Sequence, residues 1–186
     1  MNACLLVIDV QESFRHRPYW DAALADTYLS QQNRLIDGAV AQGMPIVRIF
    51  HSDGPKESSN PFALESGLVG PLQGLIAFDA AATFTKNRHS ALVGTGLEVW
   101  LTQNKIDRLI VSGIRTEQCC ETTTRHASDL GWTVDFVLDA TLTFDMAQPD
   151  GNILRAADIK MRTATVLEGR FARVVTVAEA LDSCAT

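Results

Sequence analysis

Apolar residues in this chain fall into short unbroken runs, separated by longer periodic or polar stretches. Ala3–Ile8 is continuously apolar, as expected of a parallel strand covered on both faces. Polarity returns abruptly at Asp9-Val10-Gln11-Glu12. Residues 21–42 carry Ala22, Ala25, Leu29, Ile36, Ala39 and Val40 at loose helical spacing, with Gly43 and Pro45 ending the pattern. Residues 46–50 read as a second strand, and 83–85 as a third with Lys86 at its end. Thr95-Gly96-Leu97-Glu98 matches a capping box that opens a helix to about Asn104. Residues 108–112 form a fourth strand, 116–130 a helix stopped by Gly131, and 133–138 a fifth strand. A helix over 152–168 is closed by Gly169, a sixth strand covers 171–177, and 178–181 make a last helical turn.

Strands alternating with helices predict βαβ units with right-handed crossovers. The expected fold is α/β: a single-domain three-layer α/β/α arrangement over 1–186, around a six-stranded, mainly parallel, Rossmann-like sheet. Ligands in such sheets bind beyond the carboxyl ends of the strands, where strand order reverses. Asp9, Lys86 and the adjacent Cys119 and Cys120 all fall at that edge. Asp9 directly follows a buried run, so its proton affinity should be raised, and a carboxylate beside a thiol can serve as its base. Lys86 would hold that carboxylate in place. A thiol in the first turn of a helix lies in the field of unpaired N–H groups, which favours thiolate. Cys120 shares a stripe with Thr124, Ala127 and Gly131, small residues suited to packing, which leaves Cys119 to face the strand ends. His126 is expected to bond within its own helix. The 51–75 segment is polar, rich in Gly and Pro and without a period, the kind of connection that covers a site.

Charge and cysteine content narrow the functional classes. A net charge of −6 argues against nucleic-acid and anionic-membrane surfaces. No cationic segment precedes the first apolar run, which is too short for a signal core or a membrane span. Cys4, Cys119, Cys120 and Cys184 fit neither a zinc site nor a secreted disulfide framework, so a cytoplasmic protein with free thiols is expected. There is no dinucleotide-binding or phosphate-cradling glycine motif and no nucleophile elbow. The histidines lack metal-ligand spacing, so neither metal nor cofactor is expected.

The chain resembles the isochorismatase-like cysteine hydrolases, which include nicotinamidases and N-carbamoylsarcosine amidase. The resemblance rests on Leu5-Leu6-Val7-Ile8-Asp9-Val10-Gln11, on Lys86 with Ser90-Ala91-Leu92 and Gly94-Thr95-Gly96-Leu97, and on Gly113-Ile114-Arg115-Thr116-Glu117-Gln118-Cys119. Asp139-Ala140 and Arg173-Val174-Val175-Thr176 also fit. It implies a triad of Asp9, Lys86 and Cys119, a cis Ile114–Arg115 peptide, and an oxyanion hole from the backbone N–H groups of Arg115 and Cys119. It implies hydrolysis of a small amide through a thioester, with Phe14, Trp20, Leu92, Ile114 and Arg115 near the substrate. Homo-oligomers, dimer or tetramer, are expected too. The chain departs from the family pattern at Leu92, where phenylalanine is frequent, and at Arg115, where small residues are frequent. His51 and Asp53 stand in the reverse order of the nicotinamidase metal motif. Vinyl ether hydrolysis and non-catalytic ligand binding are the alternatives within this fold. For the Arg115 side chain two placements are open: the pocket mouth, or an ion pair with Glu117 or Glu121.

Overall fold

A computed structural model describes residues 2–183; Cys184 lies outside the described residues. Along the chain run β1 (Ala3–Ile8), α1 (Ala22–Ala41), β2 (Ile46–His51), β3 (Ala82–Lys86), α2 (Leu97–Gln103) and β4 (Arg108–Ile114). Then come α3 (Glu121–Asp129), β5 (Thr133–Leu142), β6 (Met146–Ala147), β7 (Ile153–Leu154), α4 (Ala156–Leu167), β8 (Arg173–Val175) and α5 (Val177–Asp182). Six strands form one sheet in the order β3-β2-β1-β4-β5-β8, every pair parallel. Strand order reverses at β1, so the crevice expected of this topology opens beyond β1 and β4.

Side-chain alternation along the strands divides the core into two layers. Leu5 and Val7 of β1 pack with Leu35, Ile36 and Ala39 of α1 and with Val177 and Ala180 of α5. Cys4, Leu6 and Ile8 face the other way, toward Leu97 and Leu101 of α2, Ala127 of α3 and Leu167 of α4. With both faces covered, continuous apolar runs are what a buried parallel strand requires. Among the described residues no helix is long and apolar enough to cross a membrane.

Several boundaries move for local reasons. A register shift between Val111 and Gly113 lets β5 continue beyond 138 and pair Thr141 with Gly113. Phe171 and Ala172 turn back to donate to the Leu167 carbonyl, which shortens the last strand to three residues. The fourth helix starts at Ala156 because Ile153–Leu154 pairs antiparallel with Met146–Ala147, while Asp145 accepts from the Ala156 N–H at 2.8 Å. No capping box forms at Thr95. Its hydroxyl donates to the Ala91 carbonyl (2.6 Å) and accepts from Leu97 N (3.2 Å), and Gly96 takes the N-cap position.

Gly113 is where the sheet admits no other residue. Its φ of +132° is closed to L side chains, and a Cβ there would lie 2.0 Å from the Ile8 carbonyl oxygen. That close approach seats β4 against the last residue of β1, immediately before Asp9. Gly113→Ala should therefore destabilise the fold by roughly 3 kcal/mol, combining backbone strain with overpacking. A shift in the urea midpoint at constant slope would measure it. A loss below about 1 kcal/mol would mean that the β1–β4 contact yields easily.

Candidate active site

Four strand ends converge at the crevice. Asp9 follows β1 with φ of +52°, an uncommon conformation for a residue other than glycine. Its side chain is wholly buried. Lys86 ends β3, two strands from β1, so its side chain must cross the end of β2 to reach Asp9. His51 ends β2 in register with Lys86, directly under that path. The ammonium lies 2.7 Å from Asp9 Oδ2, 3.2 Å from Cys119 Sγ and 3.1 Å from His51 Nδ1. Two of its N–H groups thus meet the imidazole and the thiol, while the carboxylate offsets its charge. Neither Asp9 oxygen completes a well-directed hydrogen bond, so the short Lys86 contact is chiefly ionic.

Cys119 arrives by a different device. The Ile114–Arg115 peptide is cis, and Thr116–Cys120 then forms one π-helical turn before α3. Widened turns of this kind recur at functional sites. The Arg115 carbonyl accepts from Gln118 N and Cys120 N, each at 3.2 Å, and the intervening Cys119 N–H is passed over. Cys119 Sγ also lies 3.8 Å from His89 Nδ1. The His89 ring stacks on His51, 6.4 Å between centroids and 6° from parallel. Cys120 is fully buried in the core layer that contains Ala127 and does not line the cavity.

The electrostatics differ from those expected of a helix-terminal thiol. Burial, and after it the Asp9 charge, push the Cys119 thiol up to about 12, with Lys86 only partly offsetting them. The resting residue is therefore a neutral thiol. Burial raises the Asp9 carboxyl above its ordinary range although the Lys86 charge opposes the rise. Burial also works against the Lys86 ammonium, but Asp9 and Cys119 outweigh it and hold its pKa above normal. Burial and the neighbouring Lys86 charge lower His51 to about 4, leaving Nδ1 free to accept from the ammonium at neutral pH. The helix-terminus field loses to desolvation here because Cys119 is only 5% exposed.

A cavity of about 280 Å³ opens onto the thiol. Phe14, Arg17, Tyr19, Asn60, Phe62 and Gln118 line it, together with Asp9, His51, Asp53, Gly54, His89 and Cys119. Its size suits a small molecule. The 51–75 segment supplies Asn60 and Phe62, and it is anchored by Glu12 N donating to the Gly70 carbonyl and Leu72 N to the Val10 carbonyl. Larger hollows, such as the one lined by Arg108, Trp132 and Arg173, contain no thiol.

Of the residues expected near substrate, Phe14 lines the cavity, whereas Trp20, Leu92, Ile114 and Arg115 do not. Trp20 packs on Phe144, 5.5 Å between centroids. Leu92 and Ile114 are core residues. The Arg115 guanidinium pairs with Glu117 at 3.1 Å and lies 5.1 Å from the Tyr19 ring centroid, so the ion pair prevails over the pocket mouth. Glu121 bonds Arg125 and Arg162 instead. His126 bonds Ser90 Oγ at 2.8 Å, outside its own helix. His89, Arg17, Tyr19 and Phe62 belong to no motif, because their proximity depends on strand order and loop path; His51 is marked only by its order relative to Asp53, and Gln118 only as part of the nucleophile motif. Among the described residues no group of three or more His, Cys, Asp or Glu side chains could hold a metal ion.

Comparisons with known proteins agree with this fold. The family model for the isochorismatase domain matches residues 3–179. YrdC of Bacillus subtilis, an uncharacterised isochorismatase family protein, is 26% identical over 96% of this chain and 94% of its own. Nicotinamidase 3 of Arabidopsis thaliana is 26% identical over 83% of this chain and 80% of its own. The crystal structure of an isochorismatase from Pseudomonas putida superposes with a TM-score of 0.82 at 28% identity, covering 96% of this chain and 89% of that one. The chain belongs to the isochorismatase family of hydrolases.

Proposed function

We propose that the protein is a cysteine hydrolase that cleaves the C–N bond of a small amide. The observation that carries this reading is the buried Lys86 ammonium bridging Asp9 Oδ2 and Cys119 Sγ at 2.7 and 3.2 Å. A base, a nucleophile and a fixed cation thus share one water-poor site that opens on a small cavity. The amide class is supported by the nicotinamidase relative. Vinyl ether hydrolysis gives no comparable role to a thiol beside a carboxylate.

In the proposed cycle Asp9 takes the Cys119 proton as sulfur attacks the amide carbonyl carbon. The C–S bond forms while the carbonyl π electrons move to oxygen. The backbone N–H groups of Cys119 and Arg115 serve as the oxyanion hole. Collapse breaks the C–N bond, and Asp9 returns its proton to the departing amine. Asp9 then removes a proton from water as it attacks the thioester carbon, and collapse breaks the C–S bond, releasing the acid while Asp9 returns the proton to sulfur to restore the thiol. Lys86 stays charged throughout and stabilises each anion that forms beside it.

A neutral resting thiol fits this cycle, because the proton leaves only as the new bond forms. Cys119→Ser should leave roughly a thousandth of turnover or less, whereas Cys120→Val should keep most of it. Limiting iodoacetamide should inactivate in step with labelling of Cys119. An inactivating label mapped to Cys120 would refute the assignment.

The third contact of the ammonium generates a separate prediction. His51→Leu leaves a buried N–H of Lys86 without an acceptor and should lower kcat about tenfold or more, while His51→Gln restores an acceptor and should stay within about threefold of wild type. Equal losses in both variants would show that His51 acts through its shape alone.

The pH profile tests the base. Asp9 must be ionised to accept the proton and its pKa is raised, so kcat/KM should fall as pH drops through a value above the ordinary carboxylate range near ~4. His51, at about 4, remains neutral across that limb, so His51→Gln should not move it. A limb that follows the His51 substitution would remove Asp9 from the role.

A further inference from the structure

The charges around the cavity nearly cancel. Asp9 is matched by Lys86 at 2.7 Å and Arg115 by Glu117 at 3.1 Å. Asp53, the remaining carboxylate on the wall, accepts from Gly54 N at 2.7 Å, with His51 Nε2 3.8 Å away. The nearby Glu12 is occupied by Arg15 and by the N–H of Gln73. Arg17 is left over. Its guanidinium lines the cavity and contacts the Tyr19 ring (5.7 Å to the centroid), and among the described residues it makes no ion pair. The side-chain amide of Gln118, next to the nucleophile, likewise has no partner among the described residues, whereas Asn60 spends its amide on the Asp53 and Pro55 carbonyls. Phe14, Tyr19 and Phe62 make the rest of that wall apolar; Phe14 and Phe62 meet edge to face at 5.1 Å.

We propose that Arg17 is the anion-recognition element of this site, and that the substrates are small amides carrying a carboxylate at the end away from the scissile bond. The inference rests on the amidase reading for the reaction but on its own geometry for the anion. A guanidinium without a carboxylate partner presents a planar pair of donors to an incoming carboxylate, and the aromatic wall reduces competition from water. Gln118 would meet the amide end of the same molecule. The substrate-selecting role that Arg115 would have at the pocket mouth falls to a residue 98 positions earlier, because Glu117 neutralises Arg115.

Alkylation of Cys119 tests this without requiring turnover. Three iodoacetamides of similar length would be compared: N-carboxyethyl (anionic), N-butyl (neutral) and N-trimethylammonioethyl (cationic). Each rate at Cys119 would be divided by the reagent's rate with 2-mercaptoethanol. In each reaction sulfur displaces iodide, and Asp9 takes the thiol proton. The anionic reagent should be favoured by about tenfold over the neutral one and by more over the cationic, as expected for a charge-assisted contact. Arg17→Gln should reduce that preference to about threefold or less, and Arg17→Lys should retain part of it. Arg17 is exposed, so both variants should fold.

No preference in wild type, a preference for the cation, or an anion preference that survives Arg17→Gln would each overturn the inference. Failure of every reagent to label Cys119 would overturn it too, by closing the cavity as a route to the thiol. A panel of carboxylated and neutral amides, followed by amine release, separates this inference from the reaction class. Anion-selective alkylation without hydrolysis of any amide would sink the amidase reading alone. Hydrolysis of neutral and anionic amides at equal kcat/KM, with equal alkylation, would sink the role of Arg17 alone.

Discussion

A buried ammonium is the constraint to which the rest of the site answers. The Lys86 side chain is fully enclosed, and an isolated charge there would be strongly unfavourable. It is tolerated because a carboxylate offsets its charge and a thiol and an imidazole each take one of its N–H groups. Removal of any one acceptor leaves a buried donor or charge without compensation, so these four residues form one electrostatic unit. Burial, and after it the Asp9 charge, outweigh Lys86 and keep the thiol protonated beside a cation.

The backbone makes that unit possible by close approach. Gly113 lets β4 run against Ile8, and Asp9 turns out of β1 in a left-handed conformation at the next residue. On the other side of β1, β2 ends level with β3, and so His51 lies under the Lys86 side chain. The π turn then carries the nucleophile into the crevice while its neighbour Cys120 stays in the core. Two adjacent thiols therefore belong to different parts of the molecule, one to the cavity and one to the packing.

Much of this was legible in the sequence. Unbroken apolar runs marked the central strands, and two residues at strand ends, Asp9 after β1 and Lys86 at the end of the edge strand β3, are those that meet the thiol. What escaped depended on three-dimensional adjacency. His51 has no motif of its own and matters only because β2 lies between β3 and β1. His89, Phe62 and Gln118 reach the cavity through loop paths that no periodicity encodes. Arg115 sits in the motif beside the nucleophile, yet Glu117, two residues away, neutralises it, and Arg17 stands at the wall instead. The direction of the thiol shift was also misjudged, since a helix-terminus field can be read from position whereas depth of burial cannot.

The strand order 3-2-1-4-5-8 divides the catalytic parts unevenly along the chain. The first 86 residues already hold the carboxylate, the imidazole and the ammonium on three consecutive neighbouring strands. The thiol comes only with the fourth strand, whose docking also covers the open edge of the first. A fragment of the chain that stops before residue 108 thus contains an acid–base pair with nothing to activate, still wet along the edge where its partner belongs. Reactivity in this molecule is a property of the finished sheet, and the nucleophile becomes useful only when the piece that delivers it has also shut out the water.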